Sequence, residues 1–173
     1  MAAGAGGMTH SWTEVQAVAV RAASGAGVPP AQALAFGAML ARHVADGGSE
    51  APLIAALDAP DRIVALAHQV EELIEAASVT DKPVKTTAPA AGERALLVSW
   101  LQSLPCRSVV EVSGPMVAAV LDLAAPGKRS RPPRLELSNV LYQKLQDLAA
   151  LTYVPDSEAS RTLGAGAQLM QGT

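Results

Sequence analysis

The residue types with reactive potential are few in this sequence, and they are scattered. Three histidines, His10, His43 and His68, and one cysteine, Cys106, are the candidates for metal, acid–base or nucleophilic chemistry. No two histidines share ligand spacing on one stretch, and no His-Glu-x-x-His pattern occurs. His43 falls three residues after Leu40, beside an apolar stripe, while His68 lies four residues before Glu72 on the polar side of its segment. Both read as core-edge or solvated imidazoles, so no metal site and no cofactor are expected. Cys106 precedes Arg107, and an adjacent guanidinium can lower a thiol pKa. No partner base is identifiable for it, and a buried, inert thiol is the plainer reading.

Anion binding is the remaining chemistry. Lys128, Arg129, Arg131 and Arg134 form a basic run flanked by Gly127 and Pro132-Pro133. Such a run can grip a carboxylate or phosphate, although it also reads as a solvated loop tip. A second candidate is the segment from Tyr153 through Ser157, Ser160 and Arg161 to Gly164-Ala165-Gly166-Ala167. Backbone N–H groups around its glycines can form an anion nest, and Arg161 can add a bidentate clamp. Glu14 and Arg21 are the expected partners from the first helix. The alternative is an arm that docks on the core through Tyr153 and Val154, with Arg161 in a structural ion pair.

These residues have to be positioned by helices first. Ser11 and Glu14 form a capping box opening a helix from Trp12 to Ala23, stopped by Gly25. Pro29-Pro30 leads into a second helix carrying Leu34, Phe36, Met39, Leu40 and Val44, which ends before Gly47-Gly48. A short turn over 52–57 and a longer helix ending near Ala77 complete a helical N-terminal layer. Residues 78–93 lack periodicity and read as an exposed connection between the helical and mixed halves.

Beyond it, 94–104 reads as a helix, and two valine-rich runs flanking Ser113-Gly114-Pro115 read as an antiparallel hairpin. Arg134 to Leu137 is a candidate third strand, and Ser138 caps a late helix. The fold class is therefore α+β, with a helix hairpin plus a longer helix, a small antiparallel sheet and a late helix. The chain reads as a single domain over 1–173, with 1–10 and 168–173 flexible.

Composition narrows the function classes. Half of the 173 residues are hydrophobic but only 3% are aromatic, so the core must be built from Ala, Val and Leu in close-packed helices. Thirteen basic against sixteen acidic residues give a net charge of -3, which argues against nucleic acid as a partner. No apolar run reaches the roughly 20 residues of a membrane span, and the Ala/Gly-rich start lacks the features of a signal peptide. A cytoplasmic protein with no membrane partner is expected.

Ser11-Trp12-Thr13-Glu14-Val15 with Arg21 to Gly27, paired with Thr152-Tyr153-Val154-Pro155 through Ala167, resembles domain of unknown function 3726, a family of uncharacterised bacterial proteins. The resemblance touches both ends of the chain and implies no reaction. The functional expectation is a non-catalytic binding or assembly module, a possible homo-oligomer built on self-complementary small aliphatic surface. The alternative is a small-molecule enzyme or sensor binding an anionic ligand near the Tyr153–Ala167 segment.

Overall fold

The computed structural model describes residues 8–152. In chain order they form β1 (Met8–Ser11), α1 (Trp12–Gly25), α2 (Pro30–Ala45), α3 (Ala51–Asp58), α4 (Pro60–Ser78), β2 (Val84–Thr87), α5 (Ala91–Ser103), β3 (Cys106–Ser113), β4 (Met116–Pro126), β5 (Arg134–Leu137) and α6 (Asn139–Ala150). The class is α+β, with four consecutive helices in the first half as the hydrophobic periodicity predicts.

The capping box forms as the sequence spells it. The Glu14 amide donates to Ser11 Oγ at 3.2 Å, and Glu14 Oε2 accepts from the Ser11 amide at 2.7 Å. This satisfies orphan N–H groups at the start of α1 and fixes where Trp12 leaves the chain.

The core is aliphatic and small-residue-rich. Helix α2 is its centre: Ala33, Phe36, Met39, Leu40 and Ala41 are fully buried between α1 and α5. Close approach of α1 to α2 depends on Gly37. A Cβ there would stand 2.4 Å from Val20 Cγ2 and 2.9 Å from the Gln16 carbonyl oxygen. On α1, Ala19, Ala22 and Ala23 have no exposed surface. Trp100 of α5 meets Phe36 edge-on at 6.5 Å. The alanine-heavy composition is thus a packing device: short side chains bring backbones together.

The strands depart from expectation in their partners. β3 and β4 pair antiparallel around Gly114-Pro115 as the sequence predicts. However, β5 does not join that hairpin; it pairs with β1 in a separate two-stranded sheet, Met8 opposite Leu137 and Ser11 opposite Arg134. Residues 8–10 therefore belong to a strand, although 1–10 reads as flexible from sequence.

The third strand of the hairpin sheet is β2, giving the order β2-β4-β3. It arises inside the stretch 78–93 that reads as a connection. Four residues are too few to show a period of two, yet Val84 is buried and Lys85 exposed. The same stretch also contains the start of α5.

Two polar links tie the layers. Glu50, just before α3, accepts from the amide of Ser138 at 2.9 Å and from its hydroxyl, while Ser138 Oγ accepts from the Leu141 amide at 3.1 Å. One carboxylate thus anchors the cap of α6. Among the described residues no helix is long and apolar enough to cross a membrane.

Candidate functional site

The basic run 128–131 is exposed, as a solvated loop would be, but its backbone is tethered. It lies between β4 and β5 and folds back against the start of α1 and the end of α2. The anchor is Arg42 on α2, whose side chain is only 8% exposed. Its Nε donates to Asp46 Oδ2 at 2.8 Å, its Nη2 to Asp46 Oδ1, and its Nη1 to the Ser130 carbonyl at 2.7 Å. The i,i+4 carboxylate holds the guanidinium in one orientation, and the remaining donor fixes the loop backbone.

Trp12 completes this frame. The Arg42 guanidinium lies 5.5 Å from the indole centroid and that of Arg131 lies 5.3 Å from it, both within cation–π range. The indole N–H donates to Gln16 Oε1 at 3.2 Å, which locks the ring.

The frame opens onto a cleft of about 360 Å³. One wall is Trp12, Gln16, Ala38 and Arg42; the other is residues 102–108 with Gly127, Lys128, Arg129 and Arg131. Arg107 is two-thirds exposed and lies 3.9 Å from Asp122, at the limit of an ion pair. Arg129 reaches only the Ser108 carbonyl, at 3.4 Å. Among the described residues Lys128 and Arg131 have no carboxylate partner within ion-pair distance. The lining thus holds five cationic side chains and no carboxylate or imidazole. Among the described residues only Arg42 is firmly neutralised. The other four are exposed, line the same cleft and keep open donor capacity, which favours an anion there.

Cys106 also lines this cleft, but burial pushes its thiol pKa above the usual 9.0, and nearby Asp122 adds to the rise. The predicted help from Arg107 does not materialise because that guanidinium faces Asp122 across the strand pair. The thiol is protonated near neutrality, and protonated thiols are poor nucleophiles.

The other expected residues go elsewhere. Tyr153, Ser157, Ser160 and Arg161 lie outside the described residues. Glu14 is exposed and engaged in the α1 cap; the hydrogen bond from the Ser11 amide, and then the Ser11 side chain, hold its pKa below 4.5. Arg21 is exposed on α1 and does not line the cleft. Arg134 sits on β5 opposite Ser11 and does not line the cleft.

His43 is deeper than its core-edge reading. It is 2% exposed, with Nδ1 2.8 Å from Ser99 Oγ and Nε2 2.9 Å from the Ser49 carbonyl. A carbonyl only accepts, so in the neutral ring Nε2 carries the hydrogen and Nδ1 accepts from the serine hydroxyl. Both nitrogens are engaged, and Gly48 closes over the ring so tightly that a Cβ would stand 2.3 Å from Nε2. The pair resembles a catalytic dyad in composition only; it joins α2, α5 and the loop before α3. His68 is exposed and bonds Glu71 at 3.1 Å rather than Glu72. Among the described residues no group of three or more His, Cys, Asp or Glu could hold a metal ion.

Sequence reasoning finds the loop cations but misses Trp12 and Arg42, which hold them. A signal was present: Arg42 interrupts the apolar stripe of α2 and has Asp46 four residues on, the spacing of a pre-oriented guanidinium. Comparison of the chain with protein-family models, with curated proteins and with solved structures finds no match in any of the three.

Proposed function

We propose that the protein is a non-catalytic binding module whose ligand is a small molecule bearing clustered phosphate or carboxylate groups, held in the Trp12–Arg42–Arg131 cleft. The observation that carries this reading is the set of exposed cations, without a carboxylate partner among the described residues, on a loop whose backbone Arg42 fixes at Ser130. Disordered solvated lysines and arginines need no such buried anchor. A pre-positioned loop lowers the ordering cost of binding.

The cleft volume suits a small ligand better than a nucleic-acid strand, and the net charge of -3 agrees. The lining offers donors, and among the described residues no carboxylate or imidazole stands in it to take up a proton. The resemblance to the domain of unknown function 3726 family belongs to the same proposal and adds no reaction to it. The Tyr153–Ala167 segment, with Arg161, stays the alternative location for an anion.

The test is calorimetric titration of the full chain with inorganic pyrophosphate, tripolyphosphate and citrate. The wild type should bind at least one with an affinity that falls as salt rises. A Lys128→Ala/Arg131→Ala variant should lose that binding while Arg161→Ala keeps it. Binding unaffected by the first variant, or no binding at low salt, contradicts the proposal.

A further inference from the structure

The hairpin sheet has two edges, and the sequence treats them differently. β2 is four residues long, and Gln69 covers its end by donating to Thr86 Oγ1 at 2.7 Å and to the Thr87 carbonyl at 3.1 Å. The other edge, β3, is eight residues long, and among the described residues no strand pairs with it. A long open edge is a template for another strand unless something blocks it.

Which backbone groups face that edge follows from the turn. Gly114 has φ +55 and is followed by proline, whose φ is held near -65°, so the hairpin turns through a type II′ turn. A two-residue turn closes on a hydrogen-bonded pair, here Ser113 and Met116. Alternation then bonds Glu111 and Val109 to β4 and leaves the N–H and C=O of Ser108, Val110 and Val112 on the open side. The guanidinium of Arg129 reaching the Ser108 carbonyl agrees with this assignment. That contact, at 3.4 Å from an exposed side chain, is readily given up.

The side chains on the outer face are self-complementary. Val109 faces Val120 across the ladder, and both are exposed, at 56% and 39%. Arg107 and Glu111 flank Val109 two residues to either side on the same face. If a second β3 lies antiparallel with Val109 opposite Val109, Arg107 of each copy faces Glu111 of the other. The Ser108 and Val110 backbones then exchange about four hydrogen bonds. Oppositely charged residues directly across a non-hydrogen-bonded pair are favourably placed, and two such pairs form at once.

We propose that a second copy of this chain docks on the β3 edge, making a continuous six-stranded sheet across a two-fold axis through Val109. The occupant is chosen on charge: a second β3 supplies both a carboxylate opposite Arg107 and a cation opposite Glu111. The surface joined is short, so the dimer is weak, and it exchanges with monomer. The pairing shares Arg107, Ser108 and Arg129 with the rim of the anion cleft, so its test uses no added anion.

Sedimentation equilibrium of the full chain from about 10 µM to about 1 mM should show reversible dimerisation, in the range a short strand pairing supports. Arg107→Glu and Glu111→Arg should each weaken self-association by roughly tenfold or more, because each turns two attractive pairs into repulsive ones. An equimolar mixture of the two variants should recover association as a heterodimer, since every facing pair is then opposite in sign. Circular dichroism and melting curves check that each variant is folded. Val110→Pro, which removes an N–H from the open edge and none from the β3–β4 ladder, supplies an uncharged control that should also be monomeric. A wild type that stays monomeric throughout this range overturns the proposal. So does a dimer indifferent to the single reversals, or a mixture no more associated than its components.

Discussion

Replacing Ser99 with alanine tests the internal frame behind the cleft. The substitution removes one hydroxyl from a position 6% exposed, so little packing volume is lost. What changes is His43, whose Nδ1 stands 2.8 Å from that hydroxyl and is sealed from water by Gly48 and α5. A buried acceptor left without its donor costs about 1–3 kcal/mol, and a value of about 2 kcal/mol lowers Tm by roughly 4–8 °C in a chain of this size. His43→Leu loses both links, to Ser99 and to the Ser49 carbonyl. In the double variant the Ser99 hydroxyl is gone together with the imidazole it served. The two single costs should therefore exceed the double by about 1 kcal/mol.

Differential scanning calorimetry of the four proteins supplies the cycle. Long-range nitrogen–proton NMR of the neutral His43 ring should show the tautomer with hydrogen on Nε2. A Ser99→Ala variant within about 0.5 kcal/mol of wild type refutes the argument, as does strict additivity.

Three further outcomes follow from named contacts. Gly37→Ala should destabilise by about 1–3 kcal/mol in thermal melts, since its Cβ would meet the Gln16 carbonyl, which belongs to a rigid helix. Ser138→Ala removes the side-chain cap of α6 and a donor to Glu50, and should cost about 1–2 kcal/mol with early fraying of α6 amides in hydrogen exchange. The Glu14 carboxyl, lowered first by the Ser11 amide hydrogen bond, should titrate by NMR below 4.5. Its folded pKa is depressed, so its contribution is present above the ordinary glutamate range and fades as pH falls through the folded value. Glu14→Gln should flatten that acid limb of the stability curve.

Helices α1, α2 and α4 were legible because each carries its own punctuation or stripe. Ser11 and Glu14 announce α1, proline opens α2, and the spacing of Ile63, Leu66, Val70 and Leu73 repeats on α4. The hairpin was legible for the same local reason, Gly-Pro between valine-rich runs. Strand partnership was not, because it is decided by packing between segments distant in sequence. β1 meets β5 some 126 residues away, and β2 shows only four residues of pattern. The cleft divides likewise. Its cations are contiguous and visible, while Arg42 and Ser130 join across 88 positions that no periodicity connects. The histidines show the converse error: His43 beside a stripe reads as marginal, yet Ser99 and the Ser49 carbonyl let the core take it in whole.

The most direct measurement uses the two tryptophans. Trp12 lies on the cleft wall between Arg42 and Arg131, whereas Trp100 is 2% exposed against Phe36. Each gives one indole N–H signal in a nitrogen–proton spectrum. On titration with tripolyphosphate or citrate, the Trp12 indole and the Arg42 and Arg131 side-chain N–H signals should shift together and saturate, with Trp100 unmoved. Saturable shifts confined to other residues, or none at low salt, would contradict an anion site in this cleft.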